Sequence, residues 1–139
     1  MASPYEDLFR RYFSEGTNKG DLSVIADVFA EDYAHHDPAN PDVIVGRQGV
    51  ENHINTLRGA FPDIAFEVED MVVDGEKICI RWTAHVTHTG DYFGIPPTGK
   101  SANITGMNTW HMRDGKAVEG WVNRDDFGLL QQLGIIPSQ

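Results

Sequence analysis

The chain has 139 residues, the length of one ordinary domain, with 40% hydrophobic and 23% charged residues. That composition excludes a disordered chain and supplies enough apolar material for a core without covalent staples. A formal net charge of −10 speaks against a nucleic-acid backbone or an anionic membrane as a partner.

Ser3 before Pro4 reads as a helix start, a hydroxyl cap followed by proline at the first helical position. The opening residues carry no positive n-region or apolar h-region, so no signal peptide is expected, and no apolar run approaches the length of a membrane span. Tyr5, Leu8, Phe9, Tyr12 and Phe13 fall on one helical face, which Asn18, Lys19 and Gly20 terminate. Leu22, Ile25, Val28 and Phe29 predict a second, shorter helix. The segment H-H-D-P-A-N-P-D from His35 reads as a polar loop. A third helix is predicted from Arg47 to Phe61, with Val50, Ile54, Leu57 and Phe61 as its stripe.

The period then changes to two. Ile64, Phe66 and Val68 alternate into a strand that runs on to Val73, and Asp74-Gly75 makes a turn. Ile78, Ile80, Trp82, Ala84 and Val86 form a second strand. Gly90 to Gly99 is a Gly- and Pro-rich loop. Strands are predicted over 101–112 and 117–124, joined at Asp114-Gly115, and Phe127, Leu129, Leu130 and Leu133 form a closing helical turn. Helices followed by an antiparallel meander predict an α+β domain over residues 1–139, its helices packed on one face of a bent sheet. Cys79 is the single cysteine, so no intrachain disulfide can form. It reads as a small apolar residue in mid-strand, in keeping with a reducing cytoplasm.

Several short motifs occur in a fixed order: D-Y-x-H at Asp32, Tyr33 and His35, H-T-G from His88, G-I-P-P-T-G from Gly94, D-G-K from Asp114, and Q-L-G from Gln132. Together they resemble the SnoaL-like polyketide cyclase (ester cyclase) family of NTF2-like folds, across nearly the whole chain. The resemblance implies a cone in which the sheet curls around the helices and leaves a pocket open at one end. It also implies a small apolar or aromatic carbonyl compound as ligand and a homodimer through the outer sheet face. The implied chemistry is ring closure by proton transfer without cofactor or metal. In the characterised cyclases a His-x-Asp pair on the strand after D-G-K handles the proton. Gap-free matching puts Gly120 and Val122 at those positions, and Asn108 at a further histidine of the preceding strand. None of these three side chains can take a carbon-bound proton near neutral pH.

Alternate residues of a strand share a face; if the catalytic face of the cyclases is kept, as the resemblance implies, Val118, Gly120, Val122 and Arg124 point inward. Pairing about a three-residue loop, Arg113-Asp114-Gly115, sets Asn108 opposite Gly120 and turns Ile104, Gly106, Trp110 and Met112 inward. A two-residue loop would shift the register and turn one strand over. The expected ligand contacts are Asn108, Trp110, Arg124, Gly120 and Val122, with space left open by Gly106 and Gly120, and His88 beside a loop that gates the pocket. The catalytic candidates are His35 and His36, as a neutral imidazole held by a carboxylate, and Asp125. A turn-forming role competes for the His-His-Asp segment, and capping of the helix at Phe127 competes for Asp125. No ligand spacing supports a metal. An epoxide-opening site would need an Asp-Arg-Asp group, which this register does not supply. Arg81 is expected to pair with Glu67 or Glu69, and His53, His85 and His111 carry no motif support. The leading reading is a cofactor-free cyclase or isomerase. A non-catalytic small-molecule binding or dimerisation module and a hydroxylase-type protein are the alternatives.

Overall fold

The computed structural model describes residues 3–137; Met1 and Ala2, which open the segment read for a leader, lie outside it, as do Ser138 and Gln139. Helix α1 (Pro4–Arg11) begins as expected, with the Ser3 hydroxyl accepting from the Tyr5 amide at 3.2 Å. It continues as a π-helical stretch, Tyr12–Thr17, in which Tyr12, Phe13, Gly16 and Thr17 are all buried. The second predicted helix is only a 3-10 turn (Leu22–Val24) and one α turn, α2 (Ile25–Val28).

The chain then departs from the expected loop. Strand β1 (Phe29–Asp37) carries His35, His36 and Asp37, and β2 (Asn40–Val45) returns antiparallel to it. Helix α3 (Gly46–Ala60) follows, then β3 (Ala65–Asp74), β4 (Lys77–Thr87), β5 (Ser101–Arg113), β6 (Lys116–Arg124) and α4 (Asp126–Gln132). The six strands form one sheet in the order β2-β1-β6-β5-β4-β3. β1 joins it parallel to β6, with His35 opposite Gly120. The α+β expectation holds, and the sheet wraps a core that runs from Phe9 and Phe13 to Trp110 and Leu129. Arg81 faces Asp70 in the register and forms none of the expected ion pairs; Glu67 reaches His85 instead, at 3.5 Å.

The β5–β6 hairpin decides which residues face inward. Its loop has two residues, not three: Arg113 pairs with Lys116, and Asp114 and Gly115 both take positive φ, 52° and 81°. Left alone, that loop would have turned β6 over. A bulge follows, in which Met112 pairs with Ala117 but His111 pairs with Glu119, leaving Val118 as the extra residue. Beyond it Gly120, Val122 and Arg124 regain the inward phase, whereas Ala117 rather than Val118 is buried before it. Asn108 therefore lies opposite Val122, and Trp110 opposite Gly120. The H-T-G motif has a mechanical role. The amides of Thr89 and Gly90 both donate to the Ala60 carbonyl at the end of α3, at 3.2 and 3.0 Å, and a side chain at Gly90 would strike the Gly59 carbonyl.

Candidate functional site

The pocket opens between the π-helical stretch, α3 and the concave sheet, with a cavity volume of about 50 Å³. Tyr12, Phe13, Phe29, Phe66, Trp82 and Trp110 make its walls largely aromatic. Its polar lining comes from His35, His53, Asn108 and Arg124, with the Tyr33 and Tyr92 phenols beside them. Asn108, Trp110, Val122, Arg124 and His35 all line this pocket, His35 from a strand rather than from the expected loop. His53, Tyr33 and Tyr92 were not anticipated.

Two glycines shape the sheet wall, and not by leaving it open as expected. Trp82 on β4 lies opposite Gly106 on β5, and Trp110 on β5 opposite Gly120 on β6. A Cβ at Gly106 would stand 2.7 Å from Trp82 Cη2, and one at Gly120 would stand 2.7 Å from Trp110 Cδ1 and collide with the Tyr33 hydroxyl. Each missing side chain therefore makes room for an indole that crosses to the neighbouring strand. Gly120 is not part of the pocket lining; the space of a catalytic side chain at that position is filled by Tyr33 and Trp110.

Both indoles are donor-only groups. Trp110 Nε1–H donates to the Tyr33 oxygen at 2.9 Å, and that oxygen lies 2.7 Å from His35 Nδ1. Tyr33 is 1% exposed and has no further partner among the described residues, so its own proton has one place to go, the His35 Nδ1. The imidazole proton of neutral His35 is then fixed on Nε2. In the same way Trp82 Nε1–H donates to Asn108 Oδ1 at 2.7 Å, which turns the Asn108 amide nitrogen away from the indole.

His35 is 7% exposed, and burial pulls its pKa down to about 4, against an upward pull from Asp37. His53 projects from α3 with its ring centroid 6.1 Å from that of His35. Burial of the ring, then the neighbouring His35 and Arg124, bring it down to about 4 as well, although the residue as a whole is only half-buried. No hydrogen bond within the described residues engages either nitrogen of His53 or the Nε2 of His35. Both rings are neutral at pH 7. A stability consequence follows. Each group's folded value lies below the ordinary 6.5, so the unfolded chain binds more protons between roughly pH 6.5 and 4, and stability falls as the pH drops through that window. His35 contributes up to ~3 kcal/mol of that loss and half-buried His53 less. Urea midpoints of the His35→Gln, His53→Gln double variant should fall less between pH 7 and 4.5 than those of the unaltered chain; parallel curves would show that the imidazoles are not buried neutral.

Arg124 stays cationic. Burial would lower its pKa, but Tyr92, Asp126 and Asp37 outweigh that and raise it. Nη1 donates to Asp37 at 2.7 Å and Nε to Asp126 at 3.0 Å. The structure thus assembles the Asp-Arg-Asp group that the expected register lacked, because β1 is a strand and brings Asp37 alongside β6. Asp37 is fully engaged, one oxygen on Arg124 and the other accepting from the Ala39 amide at 2.9 Å. Neither aspartate lines the pocket. The group anchors the guanidinium at the pocket wall and holds no open carboxylate pair.

The remaining candidates lie elsewhere. His36 points to the outer face, hydrogen-bonded to Glu119 at 2.8 Å and stacked on Trp121. Asp125 is exposed and caps α4, accepting from the Gly128 amide at 2.8 Å. His88 is fully buried outside the pocket lining, where its Nδ1 accepts from the Thr98 amide at 3.2 Å and secures the 88–99 loop. Among the described residues no three His, Cys, Asp or Glu side chains converge as metal ligands, and no helix is long and apolar enough to cross a membrane.

The family model described as SnoaL-like polyketide cyclase matches residues 7–133. Among solved structures, IdmH from Streptomyces antibioticus, provisionally named a polyketide cyclase, is 30% identical over 95% of this chain and 99% of its own, with a TM-score of 0.82. AclR from Streptomyces galilaeus, provisionally named a hydroxylase, is 27% identical over 96% of this chain and 83% of its own, with a TM-score of 0.83. A SnoaL-like protein from Jannaschia, at 19% identity and a TM-score of 0.87, covers 99% of both chains and shares the fold. No curated protein sequence matches the chain.

Proposed function

The chain belongs to the SnoaL-like polyketide cyclase family, and we propose that within it this protein binds a small, largely apolar carbonyl compound and moves a proton at the carbon beside the carbonyl, without cofactor. The observation that carries the reading is the pair of imidazoles, His35 and His53, with ring centroids 6.1 Å apart in a pocket whose walls are largely aromatic. His35 is not free to act as the base, because its one open nitrogen carries a proton. It donates from Nε2 to the carbonyl oxygen and stabilises the negative charge that develops there. His53 takes the proton from the adjacent carbon. The C–H electron pair becomes the carbon–carbon double bond of the enolate, and the imidazolium returns the proton to carbon in cyclised, isomerised or exchanged product. The cyclase dyad position at Gly120 lies directly across β1–β6 from His35. On this reading the polar function has moved one strand over.

The test is deuterium uptake by acetophenone or ethyl benzoylacetate in deuterated buffer, followed by mass spectrometry. Uptake above the buffer rate supports the reading. Saturable binding with no added uptake leaves a binding module, and no binding at all removes the pocket assignment. The name of AclR favours a hydroxylase-type role as a second reading, and product oxygenation in the same assay would reveal it.

A further inference from the structure

We propose that Trp82 is a positioning residue that makes Asn108 a hydrogen-bond donor to the ligand, so that the pocket selects compounds with a second acceptor oxygen. The inference rests on the carbonyl-binding reading above and adds to it a rule of discrimination. An asparagine side chain ordinarily presents either its oxygen or its nitrogen, and a half-turn of the amide exchanges them. Here it cannot turn. Trp82 Nε1–H lies 2.7 Å from Asn108 Oδ1, and both residues are buried, at 4% and 7% exposure. A flipped amide would set N–H against N–H and leave two buried donors unpaired, so one orientation prevails.

The amide nitrogen is left with no partner among the described residues. It is not sealed in the protein interior, where His88 Nε2 is the one buried side-chain atom among the described residues without a partner, and Asn108 lines the pocket. Gly106 is what permits the arrangement, since any side chain there would displace the indole. The Trp110–Tyr33–His35 chain repeats the logic one strand along and ends in a second N–H. With Arg124, the Asn108 and His35 side chains present N–H groups from the sheet side of the pocket. The one ring with a nitrogen free to accept, His53, comes from the helix side. A hydroxyl on the ligand can accept from Asn108, but its own proton then needs a separate acceptor, and the N–H groups of His35, Asn108 and Arg124 offer none. A carbonyl at the same place has no such proton.

The experiment is calorimetric titration with para-diacetylbenzene and para-(hydroxyethyl)acetophenone, which share a shape and differ in whether the second oxygen carries a proton. The unaltered protein should prefer the diketone by about tenfold or more. In Trp82→Phe the Asn108 amide is free to turn, and the preference should shrink to within about twofold. Asn108→Leu, which removes the donor, should erase it also, and serves if Trp82→Phe folds poorly. A merely structural role for Trp82 would weaken both ligands alike and leave their ratio unchanged, which overturns the proposal. Equal binding by the unaltered protein overturns it too, while leaving the carbonyl pocket standing. Failure of both compounds to bind takes the pocket reading and this inference down together.

Discussion

Gly120→Ala is expected to destabilise the protein by about 3 kcal/mol or more, an unusually large effect for one added methyl group. The new carbon would collide with the Tyr33 hydroxyl and lie 2.7 and 2.8 Å from Trp110 Cδ1 and Nε1. Neither ring can retreat. Trp110 stacks on Phe9 at 4.4 Å and meets Tyr12 and Phe13 edge-on, and Tyr33 packs on Phe29 at 4.6 Å. Any shift also breaks the Trp110–Tyr33–His35 chain and leaves a buried donor unpaired, which adds about 1–3 kcal/mol to the steric cost. Urea unfolding followed by tryptophan fluorescence measures the change. Gly59→Ala is the control: it is exposed in α3 with nothing within 4 Å of the added carbon, and should be neutral or stabilise by up to ~1 kcal/mol. A Gly120→Ala protein as stable as the parent would mean that the site is not built around this glycine. For the same reason, restoring a histidine at position 120 should yield unfolded protein rather than a cyclase.

The helical half, the meander and the failure of the His-x-Asp match at Gly120 and Val122 were legible in the sequence. β1 was not. Phe29 and Tyr33 are four apart, which reads as helix, and the strand's inward positions Tyr33, His35 and Asp37 are polar because they build the site rather than the core. Their alternation was a signal, but one that resembles a hydrophilic loop ending before Pro38. The register of β5 and β6 was hidden for a different reason. A two-residue turn and a one-residue bulge each reverse the phase, and their cancellation at Val118 leaves no mark in composition. His53 could have been found. It sits three residues after Val50 and four before Leu57, inside the buried stripe of α3, and a histidine on such a face has to go somewhere dry. The roles of Gly106 and Gly120 could not, since a glycine that leaves a hollow and one that admits a neighbouring indole look alike until the neighbour is placed.

His53→Gln is expected to lower the rate of proton exchange at a bound ketone by 10²- to 10⁴-fold while leaving ligand affinity within a few-fold of the parent, because the general base is lost and the aromatic walls remain. His35→Gln should behave differently. A glutamine amide still offers an N–H, so the loss is smaller, and it should fall on binding and rate together. The pH profile separates these roles from a structural one. Both imidazoles are held to about 4, so exchange should switch on as the pH rises through that region and run flat across neutrality. An ordinary surface histidine would place the rise near 6.5. A rise near 6.5 would show that the acting imidazole is solvated and is not His53 as placed in this pocket. A His53→Gln protein that exchanges as fast as the parent, with its affinity unchanged, would leave the pocket as a binding site and assign no chemistry to the helix side of the cone.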